Sequence, residues 1–391
     1  MNHVAVAIPG LDRIGGAERQ AMLLAKGLRS RGWKASVVAL SGTEGAAAQE
    51  LRDAGVSFKS LGMRKGLADP RGWIRFNRWL WRERPQVVHA HLPHAAWLAR
   101  WSRLAAPAPV VIDTLHSSHA VGLGRWIGYR CSRWLPDHVT AVSCAAAESH
   151  VAAGMVSAVR LSVMGNGIDV DAWRPNLHAR TAMRREIAIG DGFLWLAVGR
   201  LEAVKDFPTL LAAIVRVPET ARLVVLGDGP LRGELRELAA SMGLGGRVRF
   251  AGFEPDVKRW MQAADGVVLA SRYEGLPMSL LEAGACGVPV VATDVPGTRE
   301  AVVHGETGWL ARRGDADDLA AAMRRLMIAA EADRRAMGKR ARRRVVERFG
   351  LEHVLDEWER LYAELLDQNQ ANWWMRLTAR RSLNRRSAAA A

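Results

Sequence analysis

At 391 residues the chain is longer than one hydrophobic core usually supports, so two domains are expected. Its formal charge of +15 favours an anionic partner such as nucleic acid, a nucleotide or a membrane surface. Three cysteines, far apart and without a C-x-x-C pair, argue against a disulfide framework or a cysteine zinc site and fit a reducing cytosol. The first apolar run is too short for a signal peptide, and no window offers the ~18 apolar residues of a spanning helix. A cytoplasmic protein, soluble or peripheral on a membrane, is therefore expected.

Strand-like apolar runs alternate with helical patterns along the first 170 residues. The chain opens with a buried strand at 3–9, a turn at 11–16 and an amphipathic helix over about 17–31. Further strands are predicted at 35–40, 56–61, 87–90, 110–114 and 139–143. Because apolar strands alternating with helices are typical of a parallel sheet covered on both faces, this half is predicted to be a doubly wound α/β unit.

A second series of strands follows the turn Asn166-Gly167-Ile168-Asp169. These strands are predicted at 193–198, 223–226, 248–253, 266–270 and 288–292. The sequence therefore predicts two doubly wound halves joined near 170–190. A ligand is expected between them, at the carboxyl ends of the strands. An amphipathic helix at 351–366 follows, and the tail 372–391 carries five arginines, Trp373-Trp374 and no acidic residue.

Residues 271–300 give the clearest indication of a ligand site. After a buried strand, Gly275-Leu276-Pro277 opens a helix that carries Glu282. Proline at a first helical position leaves the other N-terminal N–H groups free, and these groups and the helix dipole favour an anion such as phosphate. Glu282 lies roughly 7.5 Å further along the axis at ~1.5 Å per residue, about the span from a nucleotide's diphosphate to its ribose. The stretch therefore fits a nucleotide sugar.

Cations and glycines follow three other strands. Arg200 ends one strand and Lys205 comes five residues later, a pair that suits a diphosphate and can stabilise a leaving group. Gly15-Gly16 opens a helix, where it either lets the backbone approach a phosphate or only makes a tight turn. Gly227-x-Gly229 resembles a dinucleotide fingerprint, but its third glycine is one residue too far and no acidic residue ends the next strand. A structural or phosphate-near loop is favoured over an NAD-dependent oxidoreductase.

Histidines cluster in the first half. His116 closes a strand and is predicted to point at the cleft, where it could hydrogen-bond a sugar hydroxyl or an acceptor. His89 and His91 lie mostly on one strand face, with His94 and His119 close by in sequence, and these four are assigned to packing or to supporting the site. No metal site is predicted, because no carboxylate or cysteine is grouped with them.

Arginine and tryptophan occur together in two clusters of the first half. Residues 69–84 form a basic helix with Trp73, Phe76, Leu80 and Trp81, and the second cluster contains Trp126, Tyr129, Arg130, Arg133 and Trp134. This composition suits an anionic membrane interface. The alternative is an ordinary amphipathic helix packed on the sheet with a solvated basic face. We predict membrane attachment, aided by the tail, and no nucleic-acid binding, because no recognised motif accompanies the charge.

Taken together, these residues resemble a retaining glycosyltransferase of family 4, with the GT-B fold. The matched features, in the family's order over roughly 3–310, are Gly15-Gly16-x-Glu18, His116, Asn166-Gly167-Ile168-Asp169, Gly199-Arg200-x4-Lys205, Gly227-x-Gly229-Pro230, Glu274-x7-Glu282, and Glu300 after Val295-Pro296-Gly297. Pro296-Gly297 stands where the family has Gly-Gly. The resemblance implies two Rossmann-like domains facing across a cleft: an acceptor-binding domain at 1–170 and a nucleotide-sugar-binding domain at 171–350. It also implies that a helix at 351–370 crosses back to the first domain, before a basic tail at 371–391.

The resemblance also implies roles for the site residues. Arg200 and Lys205 would bind the donor diphosphate, Glu274 would lie by the transferred sugar, and Glu282 would bind the ribose. The predicted catalytic group is His116, Glu274, Arg200 and Lys205, and the predicted donor-binding set is Gly16, Arg200, Lys205, Gly227, Glu274, Gly275, Leu276 and Glu282. Neither a metal nor a cofactor is predicted, because cations and a helix N-terminus can balance the departing diphosphate.

The leading interpretation is transfer of a hexose from a UDP- or GDP-sugar to a lipid-linked, lipopolysaccharide or polysaccharide acceptor. The enzyme would be peripheral on the cytoplasmic face of the plasma membrane. No residue is an evident double-displacement nucleophile, so the family's proposed same-face substitution, with the leaving phosphate helping to deprotonate the acceptor, fits best. A soluble acceptor is an alternative within the fold, and a non-catalytic nucleotide- or membrane-binding scaffold is an alternative of another class.

Overall fold

A computed structural model of the chain describes residues 2–388 except 13, 65–68, 118–121 and 190–191, with the backbone alone from residue 370. It contains two parallel β-sheets, and alternate residues of the central strands enter separate apolar clusters on the two faces of each sheet. Val4 and Val6 pack on one face of the first sheet, whereas Ala5 packs on the other. The predicted architecture of two doubly wound α/β halves is confirmed.

The first sheet has seven strands in the order β3-β2-β1-β4-β5-β6-β7. They are β1 (His3–Gly10), β2 (Lys34–Ser41), β3 (Ser57–Ser60), β4 (Val87–His91), β5 (Val110–Leu115), β6 (His138–Ala141) and β7 (Leu161–Val163). The helices that cover this sheet are α1 (Gly16–Ser30), α2 (Ala46–Asp53), α3 (Pro70–Glu83), α4 (Pro93–Ser102), α5 (Leu123–Ser132) and α6 (Cys144–Ala152). The predicted basic helix is α3, which begins after Asp69 because that side chain accepts a hydrogen bond from the Arg71 N–H.

The second sheet has six strands in the order β10-β9-β8-β11-β12-β13. They are β8 (Phe193–Val198), β9 (Ala221–Leu226), β10 (Val248–Gly252), β11 (Gly266–Leu269), β12 (Val290–Thr293) and β13 (Gly308–Ala311). The helices of this half are α7 (Leu177–Glu186), α8 (Phe207–Val215), α9 (Arg232–Ser241), α10 (Val257–Ala263), α11 (Met278–Ala285), α12 (Pro296–Ala301), α13 (Ala316–Ile328) and α14 (Glu331–Phe349). A short 3-10 turn, Ala203–Lys205, lies between β8 and α8.

The last helix, α15 (Leu351–Ala388), leaves the second half and packs on the first. The Arg31 guanidinium of α1 forms ion pairs with Glu352, Asp356 and Glu359 of α15, at N···O distances of 2.6, 2.6 and 2.7 Å. The buried Tyr362 of α15 lies in the apolar cluster of the first sheet. Among the described residues, no helix combines the length and apolarity needed to cross a bilayer.

Besides the length of α15, which continues to Ala388 where a helix over 351–370 was predicted, three details differ from the sequence-based expectation. Strands β7 and β13 were not predicted; both lie at sheet edges, where a strand can be short and only partly buried. The third concerns Pro277, which lies at the N-cap and not at the first helical position, because its ψ of 116° is extended and α11 begins at Met278. Glu282 is therefore the fifth residue of α11.

Candidate functional site

Loops from the carboxyl ends of both sheets meet at the cleft. Gly275, after β11, lies so close to the loop after β5 that a Cβ there would be 2.3 Å from the His116 carbonyl oxygen. The Asn166 side-chain amide donates a hydrogen bond to the Leu276 carbonyl oxygen at 3.1 Å. Gln20 of α1 contacts the Met278 sulfur at 3.2 Å. Any site at these strand ends is thus built from both halves of the chain.

Lys205 and Glu274 form the central ion pair of this region. Lys205 ends the 3-10 turn after β8, Glu274 follows β11, and the Lys205 Nζ lies 2.6 Å from the Glu274 Oε1. Their side chains are only 21% and 10% exposed, so the pair is largely shielded from solvent. Arg200, by contrast, pairs with Glu202 of its own loop at 2.7 Å, and its side chain is 64% exposed. The sequence-predicted cations therefore lie on one loop, and the structure brings Lys205 to the carboxylate.

Glu282 is a buried carboxyl group on the cleft side of α11. It is 8% exposed, and burial raises its pKa to about 7, with Arg19 of α1 opposing that rise. The group can therefore exist in either protonation state near neutral pH, and it can accept or donate a hydrogen bond to a hydroxyl. Sequence reasoning missed Arg19, whose only local signal is its place in the first turn and a half of α1, close after Gly16.

His116 follows β5 and is held by a second histidine. Its Nε2 lies 2.9 Å from the Nδ1 of His91, and burial lowers the pKa of His116 to about 4. The His116 ring is therefore neutral at physiological pH. His89 instead joins Thr114 to Tyr362 of α15, in agreement with a packing role, and His119 lies outside the described residues. In the part of the chain that the structure describes, no three His, Cys, Asp or Glu side chains are grouped to hold a metal ion.

Of two predicted glycines, Gly227 lies in a tightly packed loop and Gly16 at an exposed helix start. Gly227 has a φ of +134°, its N–H donates to the Gly252 carbonyl at 2.7 Å, and a Cβ would lie 2.0 Å from the Gly199 oxygen. Because its N–H is already hydrogen-bonded within the protein, Gly227 allows the tight conformation of the loop and does not offer a donor for phosphate. Gly16 opens α1 and faces Met278, the first residue of α11, so the N-termini of two helices converge at the cleft.

Glu300 of α12 connects the two halves. Its carboxylate accepts hydrogen bonds from the backbone N–H groups of Cys144 and Ala145, at 3.1 and 3.2 Å. These donors are at the N-terminus of α6, where a negative charge is favoured by the helix dipole. The sequence analysis included Glu300 only as part of a motif. It did not predict this contact, because Cys144 lies 156 residues away along the chain.

The two Arg–Trp clusters divide between core and surface. Phe76, Leu80 and Tyr129 are buried, whereas Trp81 and Trp134 are 55% and 60% exposed. The helix α3, which carries Trp81, also has four exposed arginines: Arg71, Arg75, Arg78 and Arg82. The side chains of the tail at 371–391, with its tryptophan pair, lie outside the described residues.

Comparison with known proteins gives the family. The model described as Glycosyltransferase Family 4 matches residues 14–172, and the model described as Glycosyl transferases group 1 matches residues 179–344. A D-inositol 3-phosphate glycosyltransferase of Xylanimonas cellulosilytica is 32% identical over 72% of this chain and 70% of its own length. A UDP-Gal:alpha-D-GlcNAc-diphosphoundecaprenol alpha-1,3-galactosyltransferase of Escherichia coli is 24% identical over 77% of this chain and 81% of its own length.

One further sequence relative and one solved structure are also similar to this chain. The lipopolysaccharide core biosynthesis glycosyltransferase LpsE of Rhizobium meliloti is 35% identical over 43% of this chain, a match that spans about half (49%) of LpsE. The crystal structure of Anabaena HepE in complex with UDP-glucose superposes with a TM-score of 0.82 at 22% identity, covering 93% of this chain and 99% of HepE. The chain therefore belongs to the group 1, family 4 glycosyltransferases and is a glycosyltransferase with the GT-B fold.

Proposed function

We propose that the chain transfers a hexose from a nucleotide-diphosphate sugar to a lipid-linked or polysaccharide acceptor at the cytoplasmic membrane face, with retention of the anomeric configuration. The observation that carries the donor assignment is the shielded Lys205–Glu274 pair, whose Glu274 precedes the N-terminus of α11, the helix that carries the buried Glu282. The UDP-glucose bound to HepE and the UDP-galactose named for the E. coli relative support this donor class.

The donor diphosphate would be held by the loop after β8. Lys205 would exchange its contact with Glu274 for a phosphate oxygen, and the exposed Arg200 would turn from Glu202 towards the same group. Glu274, released from Lys205, could then accept a hydrogen bond from a hydroxyl of the transferred sugar. Glu282, with its pKa of about 7, would bind the ribose hydroxyls in a site that excludes water.

Retention would follow from substitution on one face of the sugar. The acceptor oxygen bonds to the anomeric carbon as the bond from that carbon to the diphosphate oxygen breaks, and the acceptor proton passes to the leaving phosphate. Lys205 and the N-terminus of α11 would stabilise the negative charge that develops on the leaving group. The neutral His116 would contact the reacting sugar without adding a charge.

The acceptor assignment is supported by the surface of the first half. The same helix, α3, carries the exposed Trp81 and four exposed arginines, and a basic residue near an anionic membrane surface contributes about 1 kcal/mol of attraction. The relatives named for lipopolysaccharide core synthesis and for a diphosphoundecaprenol acceptor support the same direction. This surface would hold the enzyme beside a lipid-linked acceptor.

A thermal-shift panel of UDP-, GDP- and ADP-sugars tests the donor, because a ligand that binds the native state raises apparent stability with its concentration. The Lys205→Ala variant should lose the shift given by the best donor, while Lys339→Ala, an exposed lysine of α14, should retain it. Equal shifts in both variants would contradict the assigned site. A donor that binds without turnover in the presence of membrane extract would favour the scaffold alternative.

Labelled donor and a membrane extract test the acceptor. A labelled product that partitions with lipid is expected, and a product confined to soluble oligosaccharide or metabolite would favour the soluble-acceptor alternative.

Co-sedimentation with anionic vesicles tests whether the basic surface of α3 binds a membrane. The double substitution Arg78→Gln/Arg82→Gln should weaken binding to the vesicles. The control Arg236→Gln/Arg343→Gln, which removes two exposed charges from the second half, should leave that binding unchanged. Equal effects of the two pairs would indicate a general charge effect.

A further inference from the structure

Two strands of the first sheet bring His91 against His116. In the register of β4 and β5, His91 lies opposite Thr114, so His116 is two residues beyond its partner position, towards the cleft. His91 is 3% exposed, and its Nδ1 lies 2.9 Å from the His116 Nε2. Their ring centroids are 5.2 Å apart. One nitrogen of the His116 ring is thus engaged in the protein, which leaves Nδ1 as the ring nitrogen available to the cleft.

A hydrogen bond between two neutral imidazoles couples their tautomers, because one ring nitrogen must carry the proton and the other must accept it. Burial lowers the pKa values of both rings, so both are neutral at physiological pH. If His91 donates from Nδ1, then His116 accepts at Nε2 and carries its own proton on Nδ1. The reverse arrangement would leave His116 with an accepting nitrogen at the cleft.

The other nitrogen of His91 decides between these arrangements. His91 Nε2 is buried and has no hydrogen-bond partner among the residues that the structure describes. An unpaired buried N–H is rarer in proteins than an unpaired acceptor, so a lone pair is favoured at Nε2 and the proton at Nδ1.

We propose that His91 is a positioning residue for sugar transfer: it orients the His116 ring and fixes its tautomer so that an Nδ1–H donor faces the cleft. The inference rests on the proposed function, in which His116 contacts the reacting sugar. A fixed donor at that point would hydrogen-bond a hydroxyl of the sugar or acceptor in one orientation, and it would need no reorganisation during the reaction.

Histidine-labelled protein, with the full chain and without donor, tests the tautomer directly. Nitrogen-15 NMR distinguishes a protonated ring nitrogen from an unprotonated one, and the His116→Asn variant identifies the His116 signals. We expect a single neutral form of His116 with its proton on Nδ1 in the wild type, and a mixture of tautomers in His91→Leu. A proton on Nε2 in the wild type, or His116 signals that are unchanged in His91→Leu, would overturn the proposal.

Turnover tests the consequence, with the nucleotide sugar that gives the largest thermal shift as the probe. His91→Leu should lower kcat about tenfold, the effect of one lost hydrogen bond, and change the KM for the donor by less than about twofold. His91→Asn, which keeps an amide donor near the position of Nδ1, should recover most of kcat. Tyr362→Phe removes the hydroxyl bonded to His89 and is the matched control, with unchanged kcat. Wild-type kcat in His91→Leu, or an equal loss in Tyr362→Phe, would overturn the proposal.

The two readouts separate this inference from the proposed function. The NMR measurement needs no substrate, so it decides the tautomer of His116 even if no nucleotide sugar is turned over by the wild type. If His91→Leu does not fold, the wild-type spectrum and the His91→Asn kinetics still decide between a fixed Nδ1–H donor and a ring without a fixed tautomer.

Discussion

The buried carboxyl group of Glu282 predicts a pH-dependent stability that one substitution should abolish. Burial raises its pKa to about 7 from the ordinary value of 4.5. The folded protein therefore holds the Glu282 proton more tightly than the unfolded chain does. Since stability falls with pH wherever the folded state binds more protons, the wild type should lose stability as pH rises from 4.5 to about 7 and should then level off. Glu282→Gln removes the titrating group and keeps the shape of the side chain.

The size of the effect follows from the two pKa values. The difference between 4.5 and about 7, at about 1.36 kcal/mol per pH unit, is about 3 kcal/mol. The free energies of unfolding of Glu282→Gln and the wild type should thus be similar near pH 4.5, apart from a pH-independent offset. At pH 8 the variant should have gained up to about 3 kcal/mol relative to the wild type. The carboxylate would then be retained for binding the ribose at a cost in stability, a trade-off common at functional sites.

Urea unfolding of both proteins at pH 5, 6, 7 and 8 measures this gain. Glu347→Gln, at an exposed carboxylate of α14, is the matched control and should leave the pH dependence unaltered. Arg19→Gln should move the pH window upward, because Arg19 opposes the rise in the Glu282 pKa. If the difference between Glu282→Gln and the wild type is constant from pH 5 to 8, the carboxyl group is not held in a low-dielectric site and the reasoning fails.

The remaining predictions concern contacts around the cleft. Gly297→Ala would place a Cβ 2.2 Å from the Gly275 carbonyl oxygen, so we expect a loss of about 2 kcal/mol in the free energy of unfolding, measured in urea. A urea midpoint equal to that of the wild type would show that α12 and the loop of Gly275 can move apart at little cost. Glu300→Ala removes the charged acceptor at the N-terminus of α6 and should cost about 1 kcal/mol and increase the radius of gyration measured by small-angle X-ray scattering. No change in either quantity would mean that Glu300 does not hold the halves together.

Much of the fold could be predicted because strands buried on both faces are continuous apolar runs. Residues 193–198 were predicted as a strand and form β8 with the same bounds. The two missed strands, β7 and β13, have only three and four residues and lie at the sheet edges, where a long apolar run is not required. The departure at Pro296-Gly297 also has a physical explanation: Gly297 is the position that touches Gly275, while Pro296 is exposed.

The candidate site could be predicted only in part. Lys205 and Glu274 follow neighbouring strands of one sheet, so their proximity follows from the topology. The influence of Arg19 on Glu282 depends on how the two halves meet, and no local pattern encodes it. The bond between His91 and His116 was missed for another reason. The period of two along a strand gives the face of a side chain, but not which ring across the sheet it will reach.

The division of the site between the halves links donor binding to closure. Lys205, Glu274 and Glu282 belong to the second half, while Arg19 and His116 belong to the first. A donor that contacts both sets binds the closed arrangement more tightly than an open one, and it can shift that equilibrium only by the difference between the two affinities. We expect the hydrogen bonds between Glu300 and the N-terminus of α6 to favour the closed arrangement. Weakening that contact should therefore lower the apparent donor affinity while leaving the chemistry of the closed site unchanged, which separates closure from catalysis in one variant.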